Sequence, residues 1–465
     1  MTSPAVRSAD LPARVTVLGF GLSGRALTEA LVERGREVYV VEDKPSDDVE
    51  GWRDLEERGV RFFFGRRSEE ALDGAGWLAL SPGVPPSHPV VSAAHRRGLP
   101  VLAELEIAWR IAEAEATDVN RWVAVTGTNG KSTTTAWIAD ILRRGSRPVA
   151  LAGNIGPALS GFLGETRPRD FVCEVSSFQL EAVDRFRPDV AVLTNVTPDH
   201  LDRYGSFEDY AAAKQRVFAN QRPEDFAVVN ADDPVANRAR TPARRIPFSR
   251  SGESGGTWCD EGRLFSEVRG SRREVHPADR LSLPGAHNVE NALAAIAAAD
   301  CLEAPRAAIE ESLTSFRGLA HRTELVAEVG GVAWVNDSKG TNVDATAKAL
   351  EGRAPKSVVL ILGGRDKHGD FSKLAAPVAS VARLVLTIGE AAPLIEHALA
   401  GSAAIERSGT MDHAVARARD IARPGDTVLL SPACASFDQY RNFEERGAHF
   451  AALARQAAER DSDGS

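Results

Sequence analysis

Cysteine is scarce in this chain, with only four among 465 residues. The four are scattered, at Cys173, Cys259, Cys301 and Cys434, and none is in the C-x-x-C spacing of zinc sites. Neither a disulfide framework nor a zinc site is therefore expected. Apolar runs long enough to cross a bilayer are also missing, and residues 1–14 lack the continuous apolar segment that directs secretion. These absences favour a cytoplasmic protein that does not enter the membrane.

Positive charge is not in excess either. Lys and Arg number 56 against 65 Asp and Glu, which gives a formal net charge of −9 at pH 7. This balance argues against a protein that binds nucleic acid non-specifically. Small anionic ligands remain possible, because local loops and metal ions set the potential that such ligands meet. The length of the chain favours about three domains.

Short β-branched runs that end in glycine or polar loops alternate with helical patterns along the chain. This alternation predicts an α/β fold with mostly parallel sheets, whose ligand sites lie at the carboxyl ends of the strands. Residues 240–280, rich in Arg, Ser and Gly, are expected to form irregular or antiparallel edge structure. Breaks at two junctions predict domains over 1–114, 115–317 and 318–465. The predicted strands cover residues 15–18, 37–41, 122–125, 171–175, 190–193, 227–229, 332–335, 358–362, 384–388 and 427–430.

The most informative motif is V-A-V-T-G-T-N-G-K-S-T-T-T at residues 123–135. A strand leads into a glycine loop and a helix, and the backbone N–H groups of such a loop bind phosphate oxygens at the positive end of the helix. Lys131 would supply a point charge to the terminal phosphates, and the Ser132 hydroxyl could ligate Mg²⁺. Gly127 and Gly130 enclose only two residues, so the loop is a shortened P-loop. The motif predicts binding of a nucleoside triphosphate.

A second glycine loop, G-F-G-L-S-G at residues 19–24, follows the first predicted strand. The pattern is typical of dinucleotide binding, so an NAD-dependent dehydrogenase is one alternative. The same geometry binds any diphosphate, and a chain with a triphosphate loop seldom needs NAD as well. We therefore expect a ligand such as a nucleotide-sugar, and no NAD or flavin. Its candidate contacts are Glu42, Asp43, Lys44, Ser81 and Gly83.

Three further polar residues follow or lie near the strands of the central segment. Glu174 ends a strand beside the P-loop strand, where a second Mg²⁺ anchor is expected. His200 lies on a loop at the same edge, and either a ligand role or a structural role fits a single histidine. Lys214 lies in a helical pattern and, from the residues alone, is interpreted as a solvent-facing lysine.

Taken together, these motifs resemble the Mur ligases, ATP-dependent amide-forming enzymes of peptidoglycan precursor synthesis. The resemblance extends from residue 15 to about residue 457. Loops of the third segment, at 336–342 and 436–447, resemble most the members that add D-glutamate to UDP-N-acetylmuramoyl-L-alanine. Another Mur-type amino-acid ligase remains an alternative, as does a non-catalytic nucleotide-binding regulator. The other matching runs are 127–133, 174–179, 195–200, 283–291, 321–322, 337–339 and 431–436.

The resemblance implies three domains: a Rossmann-like N-terminal domain for the UDP substrate, a central P-loop-type ATPase domain and a C-terminal Rossmann-like domain for the amino acid. It also implies a monomer that acts on small molecules, with ATP and two Mg²⁺ ions as cofactors. The reaction would pass through an acyl phosphate. The implied catalytic residues are Lys131, Glu174, His200 and Lys214, and the implied metal ligands are Ser132, Glu174, His200 and Lys214, with Lys214 carbamylated.

The resemblance assigns the remaining contacts to three ligands. For ATP these are Gly127, Thr128, Asn129, Gly130, Lys131, Ser132, Thr133, Asn288, Asn291, Arg322 and Asp337. For the UDP substrate they are Ser23, Glu42, Asp43, Lys44, Ser81, Gly83, Asn154, Ser176 and His200. For D-glutamate they are Lys339, Thr341, Lys367, Ser436 and Phe443.

Overall fold

The structure is a computed structural model that describes residues 11–65, 69–164, 169–200, 203–252, 255–366 and 369–462. The chain forms two compact units, one ending at Phe316 and the other beginning at Arg317. Within the described ranges, no helix is both long enough and apolar enough to cross a membrane.

The first sheet has five parallel strands with helices on both faces, and its spatial order puts the first strand in the middle. Val17 is buried on one face of this strand against the first and fourth helices, whereas Leu18 is buried on the other face against the third. Burial on both faces explains why these strands are almost wholly apolar. The strands are β1 (Arg14–Leu18), β2 (Glu37–Glu42), β3 (Arg61–Phe64), β4 (Trp77–Leu80) and β5 (Val101–Ala103), in the spatial order β3-β2-β1-β4-β5. The helices are α1 (Leu22–Glu33), α2 (Trp52–Glu57), α3 (Pro89–Arg96) and α4 (Glu104–Glu115).

The second sheet belongs to the same compact unit and has nine strands. In chain order they are β6 (Arg121–Thr126), β7 (Val149–Gly153), β8 (Asp170–Glu174), β9 (Val190–Leu193), β10 (Phe226–Asn230), β11 (Arg244–Ser249), β12 (Thr257–Asp260), β13 (Arg263–Ser266) and β14 (Arg273–Pro277). Their spatial order is β14-β13-β12-β11-β10-β9-β6-β8-β7. The β12–β13 and β13–β14 pairs are antiparallel and all the other pairs are parallel. The expectation of antiparallel edge structure over residues 240–280 is thus confirmed for residues 257–277, but it was wrong for β11, which is a parallel strand. The helices are α5 (Lys131–Arg143), α6 (Ser177–Glu181), α7 (Phe207–Gln215), α8 (Ala286–Cys301) and α9 (Arg306–Ser315).

The second compact unit contains a six-stranded sheet. Its strands are β15 (Glu324–Val329), β16 (Val332–Asn336), β17 (Val358–Gly363), β18 (Ala382–Ile388), β19 (Ala404–Gly409) and β20 (Thr427–Leu430). The order is β15-β16-β20-β17-β18-β19, with only the β15–β16 pair antiparallel. Its helices are α10 (Val343–Leu350), α11 (Ala375–Val381), α12 (Ala392–Ala398), α13 (Met411–Ile421) and α14 (Phe443–Ser462).

The α/β class and the mostly parallel sheets are confirmed, and all ten predicted strands are present. Each proposed segment, 1–114, 115–317 and 318–465, contains one sheet. The P-loop strand β6 lies between β8 and β9. Because the three strands are parallel, the residues that follow them meet at one edge of the sheet.

Candidate active site

The glycine loop after β6 is held tightly against its neighbours. A Cβ atom on Gly127 would lie 2.0 Å from the Thr194 hydroxyl oxygen, and one on Gly130 would lie 2.4 Å from the Asn291 side-chain oxygen. Both glycines also have positive φ, 147° and 78°. Only glycine fits such close approaches in this backbone conformation. The loop is therefore held between the end of β9 and the start of α8, and it leads directly into the first turn of α5.

Lys131 and Ser132 begin α5 directly after this loop. The Lys131 Nζ donates a hydrogen bond to the Thr128 carbonyl oxygen at 2.9 Å, so the ammonium folds back over the loop. Ser132 is buried at the helix start. On the far side of the loop, the Asn129 N–H donates to the Asn195 side chain at 2.8 Å. This arrangement places a cation and a hydroxyl at the positive end of a helix, as phosphate binding requires.

Glu174 ends β8 in register with Val125 of the P-loop strand. Its carboxylate is buried, and Oε1 accepts a hydrogen bond from Asn154 at 2.7 Å. The other oxygen, Oε2, is buried and has no hydrogen-bond partner among the described residues. A buried carboxylate oxygen without a donor is costly unless a cation neutralises it.

This orphaned oxygen fits a hard cation such as Mg²⁺, which prefers carboxylate and phosphate oxygens. Across the described ranges, no three His, Cys, Asp or Glu side chains cluster as a ready-made metal site. A Mg²⁺ ion at this edge would therefore need phosphate oxygens, and the Ser132 hydroxyl, beside Glu174. Such dependence on substrate oxygens is usual for Mg²⁺ at phosphate-transfer sites.

Lys214 does not face solvent, so the interpretation from the residues alone was wrong. It is only 2% exposed, because the buried face of α7 that includes Tyr210 packs towards the loop. Its Nζ donates to the Gly127 carbonyl oxygen at 2.7 Å and lies 4.6 Å from the centroid of the Tyr210 ring. Burial, together with the positive charge of nearby Lys131, lowers the pKa of Lys214 to about 7.

Tyr210 itself is a site residue that the sequence analysis did not identify. Its hydroxyl lies 3.2 Å from the Thr128 hydroxyl, so it connects α7 to the phosphate loop. His200 lies in the same region, with its ring centroid 4.9 Å from the Phe178 ring and 6.2 Å from the Tyr210 ring. The His200 side chain is 46% exposed. Its φ of 53° lies in the left-handed region, where most residues other than glycine are strained. The structure thus places an exposed imidazole and the Lys214 ammonium near the same ring, that of Tyr210.

In the first sheet, two residues predicted to bind ligand make hydrogen bonds that shape the 19–24 loop. Glu42 accepts hydrogen bonds from the Phe20 N–H at 2.7 Å and the Lys44 N–H at 3.1 Å. The Ser81 hydroxyl donates to the Gly19 carbonyl oxygen at 2.7 Å. Leu22, which the sequence analysis did not single out, projects from this loop and is 86% exposed. An isolated apolar side chain beside a glycine loop can contact the ring of a bound ligand.

The remaining contacts predicted for the UDP substrate follow strands of the first and second sheets. Lys44 and Gly83 are exposed, and Ser23 is partly buried in the first turn of α1. Asn154 is exposed and reaches Glu174, as described above. The Ser176 hydroxyl caps α6 by accepting from the Gln179 N–H at 3.2 Å, so its first role is structural.

The residues outside the phosphate loop that are predicted to bind the base, ribose and phosphates of ATP are divided between the two compact units. Asn288 and Asn291 lie in the first turns of α8, where the Asn291 amide donates to the Asn288 oxygen at 3.1 Å. Arg322 and Asp337 belong to the second unit. There Asp337 is buried and accepts from the Ser431 hydroxyl at 2.7 Å and from the Thr323 N–H at 3.1 Å.

The residues predicted to bind D-glutamate follow the strands of the second unit. The Lys339 ammonium lies 5.0 Å from the centroid of the Phe443 ring, so these two residues are adjacent. Thr341 follows within the same loop, and Ser436 is buried after β20. Phe437, next to Ser436, is 62% exposed and was not identified from sequence. Lys367 lies outside the described residues.

A buried arginine connects these loops. Arg446 of α14 is 1% exposed and donates to the carbonyl oxygens of Ser338 at 2.8 Å, Cys434 at 3.1 Å and Ala435 at 3.3 Å. Its Nε donates to the Ser338 hydroxyl at 3.0 Å. Burial lowers the pKa of Arg446 to about 10, so the group remains charged at neutral pH. Arg446 thus bonds both the loop after β16 and the loop after β20, which the bond from Ser431 to Asp337 also joins.

Asp337→Asn is expected to raise the melting temperature of the protein by a few degrees at pH 7.5 and to lower its activity. Burial raises the pKa of Asp337 from 3.8 to about 6. Because the folded pKa exceeds the unfolded one, stability falls as pH rises from about 4 through 6, and the charged form costs roughly 1–3 kcal/mol above that range. The amide removes this cost. Thermal melts of the variant and of the unmodified protein at pH 7.5 and pH 4.5 test this prediction. The difference between their melting temperatures should be smaller at pH 4.5.

The matched control is Asp420→Asn, because Asp420 is exposed on α13 of the same unit. Its melting temperature should follow that of the unmodified protein at both pH values. An Asp337→Asn difference that is equal at the two pH values would contradict the assignment.

Three family models match the chain in the order of its sheets. They are the MurD-like N-terminal domain of Mur ligases at residues 13–103, the Mur ligase middle domain at 125–299 and the Mur ligase glutamate ligase domain at 321–434. A UDP-N-acetylmuramoylalanine--D-glutamate ligase of Pelotomaculum thermopropionicum is 44% identical over 93% of this chain and 95% of its own length. The chain belongs to the Mur ligase family. It therefore has the family's three domains and is an enzyme of the ATP-dependent, amide-forming class.

Two further proteins illustrate this relationship. The Salinibacter ruber protein of the same description is 44% identical over 95% of this chain and 97% of its own length. The crystal structure of the MurF ligase from Thermotoga maritima, in complex with ADP, aligns with a TM-score of 0.58 over 99% of this Mur ligase and 100% of its own chain. At 18% identity, that structure supports the fold alone. The comparisons favour the ligase hypothesis over the dehydrogenase alternative.

Proposed function

We propose that this Mur ligase joins D-glutamate to UDP-N-acetylmuramoyl-L-alanine, with conversion of ATP to ADP and phosphate, in peptidoglycan precursor synthesis. The observation that carries the proposal is the similarity to UDP-N-acetylmuramoylalanine--D-glutamate ligases, at 38% to 44% identity over more than nine-tenths of the chain. The proposal includes a monomer in the cytoplasm. The four free cysteines support a reducing compartment.

The chemistry must turn a carboxylate into an electrophile. In the first step, an oxygen of the L-alanyl carboxylate attacks the γ-phosphorus of ATP, an O–P bond forms and the bond to the β-phosphate oxygen breaks. In the second step, the D-glutamate amine attacks the acyl carbon, the C–O bond to phosphate breaks and the amine loses a proton. Phosphorylation removes the negative charge that repels a nucleophile. The protein contributes mainly positioning and charge neutralisation.

The phosphate loop supplies those contributions in the first unit. The backbone N–H groups of the first turn of α5 and the Lys131 ammonium hold the phosphates and offset their charge. Glu174, Ser132, His200 and a modified Lys214 would hold Mg²⁺, which when bound supplies further neutralisation of phosphate charge. In the second unit, Lys339 offers a cation and Ser436 a hydroxyl to the carboxylates of D-glutamate.

Carbamylation of Lys214 is part of the proposal, and its surroundings support it. The neutral amine adds CO₂ to give a carbamate and a proton, and the lowered pKa means that neutral amine is present near pH 7. A carbamate nitrogen keeps one N–H, which can still donate to the Gly127 carbonyl oxygen as the lysine does. The new carboxylate would then be a hard oxygen ligand at the edge of the second sheet where Mg²⁺ would bind.

The direct test of function is phosphate release from ATP with UDP-N-acetylmuramoyl-L-alanine and one amino acid at a time. We expect turnover with D-glutamate, and less than about one-hundredth of that rate with L-glutamate, L-alanine, L-lysine or diaminopimelate. The reaction without the UDP substrate is the control and should release no phosphate above background. Turnover with a different amino acid alone would identify another Mur-type ligase and overturn the assignment.

A further inference from the structure

The turn of residues 436–442 leads into α14 and adjoins two residues proposed to receive D-glutamate. Ser436 begins the turn and is 2% exposed, and Phe443, which follows it, is the first residue of the helix. The structure describes all seven residues of the turn, and they form neither a helix nor a strand. The shape of the turn therefore depends on the hydrogen bonds that it makes within itself and with its neighbours.

The main chain of Tyr440 folds back onto Ser436. The N–H groups of Gln439 and Tyr440 donate to the Ser436 carbonyl oxygen at 3.1 and 2.9 Å. The side-chain amide of Gln439 also donates to the carbonyl oxygen of Gly409, at the end of β19, at 2.8 Å. A displacement of Tyr440 would therefore move the backbone of Ser436.

The side chain of Tyr440 is held at its ring and at its hydroxyl. The ring is partly buried and packs against a core cluster that includes Met411 and Phe450. The hydroxyl oxygen lies 2.9 Å from Nδ1 of His449, a residue of α14. Burial raises the pKa of Tyr440 to about 12, so the hydroxyl keeps its hydrogen at neutral pH. It can therefore donate that hydrogen to a ring nitrogen that carries none.

A carboxylate of another helix favours a hydrogen on the opposite nitrogen of His449. Nε2 lies 3.5 Å from Oδ1 of Asp412, which is in the first turn of α13. The negative charge favours a hydrogen on Nε2, and in the neutral ring Nδ1 then has a free lone pair. The Tyr440 hydroxyl accordingly donates to Nδ1. Asp412, His449 and Tyr440 thus form a chain of polar contacts from α13 through α14 to the turn.

We propose that Tyr440 and His449 are positioning residues for the amino-acid substrate, because the bond between them holds the turn that carries Ser436. Asp412 orients the imidazole that accepts this bond. The inference rests on the proposed function, since it takes Ser436 and Phe443 as contacts of D-glutamate. Because the turn carries contacts proposed for the amino acid alone, the effect is expected in KM for that substrate.

The test uses the full-length enzyme and variants at both ends of the bond. Tyr440→Phe removes the hydroxyl alone, and His449→Phe keeps a ring but has no acceptor. His449→Asn is the conservative variant, because its amide oxygen is attached to the γ carbon, as Nδ1 is in histidine. The double variant Tyr440→Phe with His449→Phe completes a cycle. His413→Phe is the matched control, because His413 is exposed on α13.

Tyr440→Phe and His449→Phe are each expected to raise KM for D-glutamate about three- to tenfold, the range for the loss of one neutral hydrogen bond. In both variants kcat and the KM values for ATP and the UDP substrate should stay within about twofold of the unmodified enzyme. The double variant should be no worse than either single variant. His449→Asn should bring KM for D-glutamate back to within about twofold, and His413→Phe should leave every constant unchanged.

Nitrogen-15 NMR of protein labelled at histidine reads the orientation of His449 without any turnover. In the unmodified protein we expect the hydrogen on Nε2 and none on Nδ1. Asp412→Ala should populate both neutral forms of the ring and raise KM for D-glutamate about two- to threefold. Asp420→Ala, which removes an exposed acid from the other end of α13, is the control and should change neither reading. A hydrogen on Nδ1 in the unmodified protein would overturn the role of Asp412.

The inference and the proposed function fail differently. If the unmodified enzyme turns over D-glutamate while Tyr440→Phe keeps a normal KM for it, only the inference fails. A fall in kcat and melting temperature with an unchanged KM would show a structural role alone and would overturn the inference as well. If His449→Asn raises KM as much as His449→Phe does, the part assigned to His449 is wrong. If the unmodified enzyme turns over only another amino acid, the proposed function fails, and the same comparison of KM with that amino acid decides the inference.

Discussion

Replacing Lys131 with alanine is expected to lower the rate of D-glutamate-dependent phosphate release by at least about a thousandfold, because a cation aimed at the transferred phosphate is lost. The Lys131 Nζ lies 2.9 Å from the carbonyl oxygen of Thr128, inside the loop that would bind the γ-phosphate. The substitution removes only methylenes and an ammonium from a partly exposed position, so the fold should persist. Initial rates of phosphate release, together with a thermal melt of the same sample, measure both effects.

Lys373→Ala is the matched control, because Lys373 is an exposed lysine of the second unit. It should keep its full rate. A Lys131→Ala enzyme that retains more than about one-tenth of the rate would show that the loop does not act on the transferred phosphate.

The second large effect is expected at Lys214. Lys214→Ala should lower turnover by about a thousandfold, because it removes the proposed carbamate ligand and the hydrogen bond to the Gly127 carbonyl oxygen. A short carboxylic acid, such as acetate or propionate at high concentration, should restore part of the rate by entering the space that the side chain leaves. Phosphate release with and without the acid gives the result.

The controls show whether the rescue needs a negatively charged group or only a molecule that fills the space left by the lysine side chain. Methylammonium should not restore the Lys214→Ala rate, since it supplies a cation in place of a carboxylate. The acid should not activate the unmodified enzyme. A Lys214→Ala enzyme with full activity and no response to the acid would refute the carbamate, and labelled CO₂ bound to the unmodified protein, detected by carbon-13 NMR, would support it independently.

Much of the framework was predictable because its causes are local. The runs at 190–193 and 427–430 coincide with β9 and β20 to the residue, since β-branched segments buried on both faces have few alternatives to a parallel strand. The phosphate loop was predictable for a similar reason, because glycines at two close approaches leave a recognisable pattern.

The surroundings of individual site residues could not be predicted, because they depend on contacts between segments that are distant in the sequence. Lys214 follows three alanines in a helix, and nothing in that pattern says that this face packs on the phosphate loop. Glu42 and Asp43 are adjacent acids with the same expected role. They differ in their hydrogen-bond partners. Glu42 accepts from the Phe20 N–H, whereas Asp43 bonds His88, which is 45 residues away along the chain. Such long-range donors are set by the sheet order and leave no local signal.

The position of Arg446 has a consequence for the order in which the protein is made. The loops after β16 and β20 are synthesised before α14. Their carbonyl oxygens at Ser338 and Cys434 nevertheless accept hydrogen bonds from the Arg446 side chain of that helix. A nascent chain that has not yet exposed residue 446 has these loops and the bond from Ser431 to Asp337, but it lacks the cation that bonds both loops. The proposed amino-acid site is therefore completed only when α14 is made, well after the phosphate loop of residues 127–132 has been synthesised.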